Sequence, residues 1–116
     1  MVPELAQMNC VTCDSESTPV TDEELSELRL QVPEWDVVEV DGVRRLRREF
    51  EFDDFTSALW FTDEVGAEAD GEGHHPELAT AWGRTTVVWW TYAIRGLHQN
   101  DFVMAAKTDR IYMSVG

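Results

Sequence analysis

The sequence predicts an α+β domain, a four-stranded antiparallel sheet with helices packed on one face, in the order α-β-β-α-β-β-α. Two stretches of strand-like residues each lead through a turn signal into a second strand, which predicts two hairpins. Stretches with helical periodicity and capping residues lie before, between and after the hairpins. Helices segregated to one face of the sheet leave its other face exposed to water or buried against another subunit.

The first helix and the first hairpin are predicted within residues 21–52. The segment TDEE at 21–24 has the pattern of a capping box, and Pro33 ends the leucine-containing helix that follows it. Two strands, at 35–40 and 43–52, flank the turn Asp41-Gly42. On the second strand, alternation places three apolar side chains toward the core (Leu46, Phe50, Phe52) and three charged ones toward solvent or a partner (Arg45, Arg47, Glu49).

A long helix is predicted next, capped by Asp53 or Asp54 and extending to about residue 69. Helical geometry puts four apolar residues on its predicted buried face (Phe55, Ala58, Leu59 and Val65). Trp60 falls nearly opposite that face, which suggests a subunit contact and, with the uncovered sheet face, predicts an oligomer.

The remaining elements are a loop, a second hairpin and a final helix. The loop spans 70–73, and the strands at 78–81 and 85–92 are joined by a turn at Gly83-Arg84. After a loop around Gly96, Asn100 or Asp101 is expected to cap a helix that continues to about residue 111.

Length and composition restrict the class of protein. A chain of 116 residues and 13.3 kDa with 43% apolar residues fits one globular domain, which we place at residues 21–116, after a tail at residues 1–20. No run of about 18 apolar residues is present, the start does not resemble a secretory signal, and two cysteines make no disulfide scaffold, so we expect the cytoplasm.

The chain is strongly acidic, with 9 basic and 23 acidic residues and a formal net charge of −14. Binding to nucleic acid or to an anionic membrane is not expected, because phosphate contacts require clustered Lys and Arg. Adaptation to high salt and an ordinary acidic protein both fit this charge.

All three histidines lie between positions 74 and 98, and His74 and His75 are adjacent in a predicted loop. Histidine titrates near neutral pH and can exchange protons with a substrate, and Asp70 could orient one imidazole through an N–H bond. A solvated loop or a chance metal chelate would show the same residues, and composition alone does not decide between these readings.

These residues resemble the signature of the pterin-4a-carbinolamine dehydratases. The spacing is Asp70-x3-His74-His75-Pro76-x5-Trp82-x9-Tyr92-x8-Asp101. The resemblance extends to 32–35 (VPEW), to 48–55 (REFEFDDF) and to 96–109 (GLHQNDFVMAAKTD), and so to nearly the whole chain. The last of these segments, Trp89-Trp90-Thr91 and the Cys10-x-x-Cys13 lead are similar to the bacterial branch that serves phenylalanine hydroxylase.

The resemblance implies a lyase that dehydrates 4a-hydroxytetrahydropterin to quinonoid dihydropterin in pterin recycling, with an aromatic amino acid hydroxylase as a partner. It implies no metal and no organic cofactor, and it implies that the chain forms a homodimer or a homotetramer. The roles it implies are acid/base catalysis by His75, pterin binding and polarisation by His74, support of the histidines by Asp70, and a position near the pterin ring for Trp35. Pro76 would fix the histidine loop. Asp101 would either bond within the site or cap the last helix, and we favour the cap.

Tyr92 departs from the family pattern, in which this position is usually histidine. A phenol titrates near about pH 10 and is a poor base at pH 7, although it can donate a hydrogen bond to a departing hydroxyl. The substitution predicts a slower enzyme or a lost activity, and His98 is a weak substitute because of its loop position.

Two alternatives to the enzyme remain open at this point. A non-catalytic protein-binding or assembly factor of the same fold is favoured by Tyr92 and disfavoured by the intact residues Asp70, His74, His75 and Pro76, since a fold alone proves no activity. Cys10 and Cys13 have the spacing of half a zinc site. Three interpretations of the pair remain open: reduced cysteines without a ligand in a tail, ligands of a zinc ion that bridges two subunits, and a redox pair. Trp82, Trp89 and Trp90 are interpreted as core or interface residues.

Overall fold

The computed structural model describes residues 4–11 and 17–114, and it confirms the predicted α+β fold. Three α-helices and four strands follow in the predicted order: α1 (Asp22–Leu28), β1 (Asp36–Val40), β2 (Val43–Glu51), α2 (Phe55–Glu72), β3 (Glu77–Ala81), β4 (Arg84–Trp89) and α3 (Gln99–Met113). Short 3₁₀ helices occur at Leu5–Gln7, Arg29–Gln31 and Tyr92–Ile94. None of the helices in the described ranges is long and apolar enough to cross a membrane.

The sheet has the order β1-β2-β4-β3, and all neighbouring strands are antiparallel. Asp41 and Gly42 both have positive φ (53° and 77°), as the predicted two-residue hairpin turn requires. Leu46 pairs with Val37 on one side and with Trp89 on the other. The core lies where this face of the sheet meets α2 and α3, and its largest members include Phe50, Phe61 and Phe102.

The predicted capping box is present at the start of α1, where the Thr21 hydroxyl accepts from the Glu24 amide and the Glu24 carboxylate accepts from the Thr21 amide. Asp54 caps α2, as one of the two predicted alternatives. The helix then continues three residues beyond the predicted end, and Gly73, with a φ of 67°, ends it in the left-handed conformation that glycine adopts without strain. The predicted loop at 70–73 is therefore mostly the last turn of α2.

The prediction of the buried face of α2 was partly wrong. Ala58 and Val65 are buried as expected, but the other buried positions are Phe61 and Ala69. Phe55 and Leu59 are each 43% exposed, because they lie at the rim of the face that packs on the sheet. Phe61 contacts the rings of Phe50, Phe52 and Tyr112, so tertiary packing decided which apolar stripe faces inward.

The end of β4 and the start of α3 also differ from the prediction. Pairing with β2 ends at Trp89, and Thr91 instead pairs with Gly96 across a short loop that holds Tyr92. The residue that caps α3 is His98, whose Nδ1 accepts from the Asn100 amide, so neither Asn100 nor Asp101 is the capping residue.

Residues 4–11 fall within the predicted tail, yet they pack against the domain. Leu5 has no accessible surface, and the Leu5–Gln7 helix lies against α3. The Lys107 ammonium donates to the Ala6 carbonyl at 3.1 Å, and the Leu5 amide donates to the Gln31 side chain at 2.8 Å. This segment is thereby held against α3 and against the 3₁₀ helix that contains Gln31.

Candidate active site

His74 and Asp101 form a largely buried pair at the junction of three elements. His74 follows the C-terminal end of α2, and its Nε2 lies 2.6 Å from Oδ1 of Asp101, which has no accessible surface. The second oxygen, Oδ2, accepts from the Thr91 hydroxyl at 2.8 Å and from the His98 amide at 2.9 Å. Asp101 is the N3 residue of α3, and its side chain forms a capping box with the N-cap residue His98. This position explains why Asp101 lies in the first turn of the helix. It therefore serves the helix end and the histidine at once, where we had favoured the cap alone.

The environment of His74 determines its orientation and its tautomer. Its ring stacks on the indole of Trp89, with centroids 5.5 Å apart and planes 18° apart, and its side chain is only 14% exposed. Because a carboxylate can only accept hydrogen bonds, Nε2 of His74 donates to Asp101. Nδ1 is then the ring nitrogen that can accept a proton or a hydrogen bond.

His75 lies beside His74 but is much more exposed. Its Nε2 is 2.8 Å from Oδ1 of Asp70, in the last turn of α2. The side chains of His75 and Asp70 are 64% and 81% exposed. This pair can exchange protons with a ligand or with water, whereas His74 is held in place by its surroundings.

Both histidines border a cleft of about 530 Å³, large enough for a bicyclic small molecule. Its lining residues come from the N-terminal segment, the end of α2, the end of the sheet and the start of α3: Cys10, Val11, Glu72, Gly73, His74, His75, Trp90, Thr91, Tyr92, Ala93 and Asn100. Of the predicted site residues, His74, His75 and Tyr92 line the cleft. Asp70 and Asp101 lie behind the histidines, and Pro76 follows His75 without lining the cleft.

The structure does not place Trp35 in this cleft. Trp35 is fully buried in the core, its ring contacts Phe50, and its indole N–H donates to Asp109 at 2.8 Å. Arg48 donates to the same carboxylate oxygen at 2.7 Å. Burial raises the pKa of Asp109 above its ordinary value, and the bonds from Trp35 and Arg48 oppose that shift. The predicted substrate contact of Trp35 therefore has no accessible surface to act through.

Tyr92 is 81% exposed, and it begins a 3₁₀ turn instead of ending β4. Its ring lies 5.3 Å from that of Trp90, on the rim of the cleft. The two rings are therefore neighbours, although the backbone that brings them together is a loop and not a strand. The third histidine, His98, is the cap of α3 and is not among the residues that line the cleft.

The sequence reasoning missed the N-terminal wall of the cleft. The Cys10 amide donates to Glu72 at 2.6 Å, and the Asn100 side chain bonds both the amide and the carbonyl of Val11, at 3.0 and 2.8 Å. These contacts join residues about 60 to 90 positions apart, so no local pattern could reveal them. The similarity of the Cys-x-x-Cys segment to relatives was the only available signal.

Cys10 is a protected thiol. Burial, followed by the negative charges of Glu72 and Asp101, raises its pKa from 9.0 to about 12. Cys13 lies outside the described residues. In the described ranges, no group of three or more His, Cys, Asp or Glu side chains is arranged to hold a metal ion.

The raised pKa predicts slow alkylation of Cys10. In a Cys13→Ser variant, Cys10 of the folded protein should react with iodoacetamide at pH 8 about 10³-fold more slowly than Cys10 of the same chain unfolded in urea. The reason is that raising the pKa from 9.0 to about 12 lowers the thiolate fraction at pH 8 by about that factor. Mass spectrometry of timed samples measures the two rates. Equal rates in the folded and unfolded chain would contradict the protected environment.

The chain is similar to known proteins in both sequence and structure. A sequence profile of the family described as "Pterin 4 alpha carbinolamine dehydratase" matches residues 18–111. A Gloeobacter violaceus protein named "Putative pterin-4-alpha-carbinolamine dehydratase 1" is 51% identical over 112 residues, covering 97% of each chain. A Microcystis aeruginosa protein named "Putative pterin-4-alpha-carbinolamine dehydratase" is 50% identical over 109 residues, covering 94% of each chain. The crystal structure of a "transcriptional coactivator/pterin dehydratase" from Brucella melitensis is similar with a TM-score of 0.73 and 31% identity, covering 81% of this chain and 98% of that one.

Proposed function

The chain belongs to the pterin-4α-carbinolamine dehydratase family, and we propose that the cleft bordered by His74 and His75 is where it binds and dehydrates its pterin. It is a hydro-lyase that converts 4a-hydroxytetrahydropterin to quinonoid dihydropterin and water. The observation that carries the placement of the site is that two adjacent histidines, each bonded to a carboxylate, border one cleft of about 530 Å³.

The reaction needs one proton delivered and one removed. The C4a–O bond breaks as the hydroxyl takes up a proton and leaves as water, and N5 loses its proton as the C4a=N5 bond forms. His75 is the acid/base group, because it borders the cleft, is 64% exposed and carries its own carboxylate partner, Asp70. Asp70 stabilises the imidazolium form that His75 passes through.

His74 binds and polarises the pterin from a fixed position. Its ring is held between the Trp89 indole and the buried Asp101 carboxylate, so its Nδ1 keeps one orientation. A fixed polar group loses little conformational entropy when the substrate arrives, which suits a binding role. Thr91 and the backbone of His98 complete the set that holds Asp101.

Dehydration itself tests the assignment. A freshly generated 4a-hydroxytetrahydropterin should yield quinonoid dihydropterin faster with the protein than in buffer, followed by the absorbance of the product. A reaction no faster than the buffer control would overturn the proposed function.

Tyr92 lies on the rim of the cleft at the position where the family usually has a histidine. Its hydroxyl can donate a hydrogen bond, but it is a poor proton acceptor at pH 7. Tyr92→His should raise the dehydration rate and add a titration near about pH 6.5 to its pH profile, because an imidazole can accept and return a proton at pH 7. Tyr92→Phe is the matched control for ring size. If wild type, Tyr92→His and Tyr92→Phe have the same rate from about pH 5.5 to 8.5, Tyr92 only fills space.

The supply of substrate points to an aromatic amino acid hydroxylase as the partner reaction. Hydroxylases that use a tetrahydropterin leave the 4a-hydroxy compound as their product, so recycling requires a dehydratase nearby. The similarity of residues 96–109 to the branch that serves phenylalanine hydroxylase supports that partner. The cytoplasm stays the expected compartment.

A homodimer or homotetramer is the proposed assembly. Phe55, Leu59 and Trp60 on α2 are each 43% exposed, and several exposed apolar side chains on one helix are typical of a subunit contact. Sedimentation at micromolar concentration should show a species of two or four chains. A species of 13.3 kDa alone would contradict this.

A further inference from the structure

A second, smaller cavity of about 200 Å³ adjoins the cleft. It is lined by six residues from the first hairpin and from the loop after β4: Asp41, Val43, Arg45, Trp90, Tyr92 and Arg95. Trp90 and Tyr92 line the cleft as well, so the two cavities share two of their lining residues. A substituent of a molecule bound in the cleft would have to pass these two side chains to enter the second cavity.

The cavity concentrates positive charge in a chain whose net charge is −14. Five basic residues are used in ion pairs: Arg44, Arg47, Arg48, Arg84 and Lys107. Four arginines form no ion pair with any residue in the described ranges, namely Arg29, Arg45, Arg95 and Arg110, and two of these four, Arg45 and Arg95, line this cavity. Asp41 also lines the cavity, so its charged side chains leave an excess of one positive charge.

Arg45 has donors available for a ligand. Its guanidinium lies 4.1 Å from the centroid of the Trp90 ring, and a guanidinium stacked on an aromatic face keeps its N–H edge for hydrogen bonds. Its Nε is buried and has no hydrogen-bond partner among the described residues. A buried, unpaired donor costs free energy unless a ligand or water satisfies it.

Arg95 is held beside Tyr92 by the backbone. Its φ of 50° is left-handed, and its amide donates to the Tyr92 carbonyl at 3.1 Å, which closes the 3₁₀ turn. A positive φ is uncommon for non-glycine residues. The turn places a second arginine at the same cavity as Arg45.

We propose that this cavity binds an oxyanion, a carboxylate or a phosphate. This inference rests on the proposed function: the anion is then a group on the C6 substituent of a pterin that is bound in the cleft. The alternative source of the anion is an oxyanion free in solution. Two arginines present the paired N–H donors that carboxylate and phosphate oxygens accept. The substrate class is then a pterin with an anionic side chain.

The substrate test compares a 4a-hydroxytetrahydropterin that has a phosphate-terminated C6 chain with its dephosphorylated counterpart. Wild type should show a KM about tenfold lower for the phosphorylated substrate, and Arg95→Gln should remove this preference while keeping its rate with the neutral one. Asp41→Asn should strengthen the preference, because it removes the one negative charge at the cavity. Arg110→Gln, an exposed arginine on α3, changes the net charge equally and should change neither KM.

A titration of the protein with inorganic phosphate, without any pterin, tests whether the cavity binds a free oxyanion. Adding phosphate should shift the Nε–H resonances of Arg45 and Arg95 in a saturable way, and the double variant Arg45→Gln with Arg95→Gln should not bind phosphate. If these results are obtained while the two substrates have equal KM values, the cavity binds a free oxyanion and not a substituent of the substrate. Equal KM values without saturable shifts would overturn the inference. If wild type dehydrates neither substrate, the proposed function fails, and the phosphate titration still decides whether the cavity binds anions.

Discussion

His75→Ala is expected to lower the rate of pterin dehydration about 10²-fold, the effect of removing a positioned general acid/base. His75 borders the cleft, its Nε2 bonds Asp70, and no other described histidine combines exposure with a place on the cleft wall. Stability should change by less than about 0.5 kcal/mol, because the His75 side chain is 64% exposed and its bond to Asp70 is on the surface.

Two controls separate chemistry from structure at His75. Added imidazole should restore part of the activity of His75→Ala, since a small base can enter the space left by the side chain. Asp70→Asn keeps His75 and removes the charge of its partner, so its rate should fall less than that of His75→Ala. An alanine variant with the wild-type rate, or one that imidazole does not affect, would remove His75 from the mechanism.

Asp101→Ala is expected to be the most destabilising of these substitutions and to abolish most of the activity. Asp101 has no accessible surface and accepts from His74, Thr91 and the His98 amide. The alanine variant would leave three donors without their acceptor, at about 1–3 kcal/mol for each buried donor, so we expect a loss of at least about 3 kcal/mol. Urea unfolding measures this loss, and the activity is compared under conditions where both proteins are folded.

Two conservative variants divide the roles of Asp101. Thr91→Val removes one hydrogen bond, so it should cost about 1 kcal/mol and leave His74 paired. Asp101→Asn keeps the volume but offers one acceptor oxygen instead of two, and it should lower activity more than Thr91→Val does. An Asp101→Ala protein with wild-type stability would show that the buried cluster is not the anchor of His74.

Features that depend on a few neighbouring residues could be predicted from the sequence. The capping box at Thr21, the turn at Asp41-Gly42 and the inward parity of Leu46 and Phe50 are all present. Each depends on local hydrogen bonds or on the period of a strand, which act within about four residues. The pairing of strands into hairpins then follows, because short connections restrict the choice of neighbours.

The candidate site could be predicted only as a set of residues. The spacing of Asp70, His74, His75 and Asp101 identified the family, and the structure brings these four into two hydrogen-bonded pairs. Which carboxylate bonds which histidine could not be read from the spacing, because α2 continues to Glu72 and carries Asp70 into the reach of His75. Trp35 lies in the core and does not line the cleft, which no local pattern could show, since its bond to Asp109 joins positions 74 residues apart.

Local patterns and the spacing of a few residues were enough to predict the α+β fold, the family and the histidine motif. The packing of distant segments was needed to show that Phe61 faces the core, that Cys10 and Val11 form a wall of the cleft, and that Arg45 and Arg95 line a common cavity. The two groups of features differ in the range of the interactions that produce them. Turns, caps and periodicity depend on neighbours along the chain. Burial and the walls of a cleft depend on which distant segments can pack closely while their buried polar groups remain hydrogen-bonded.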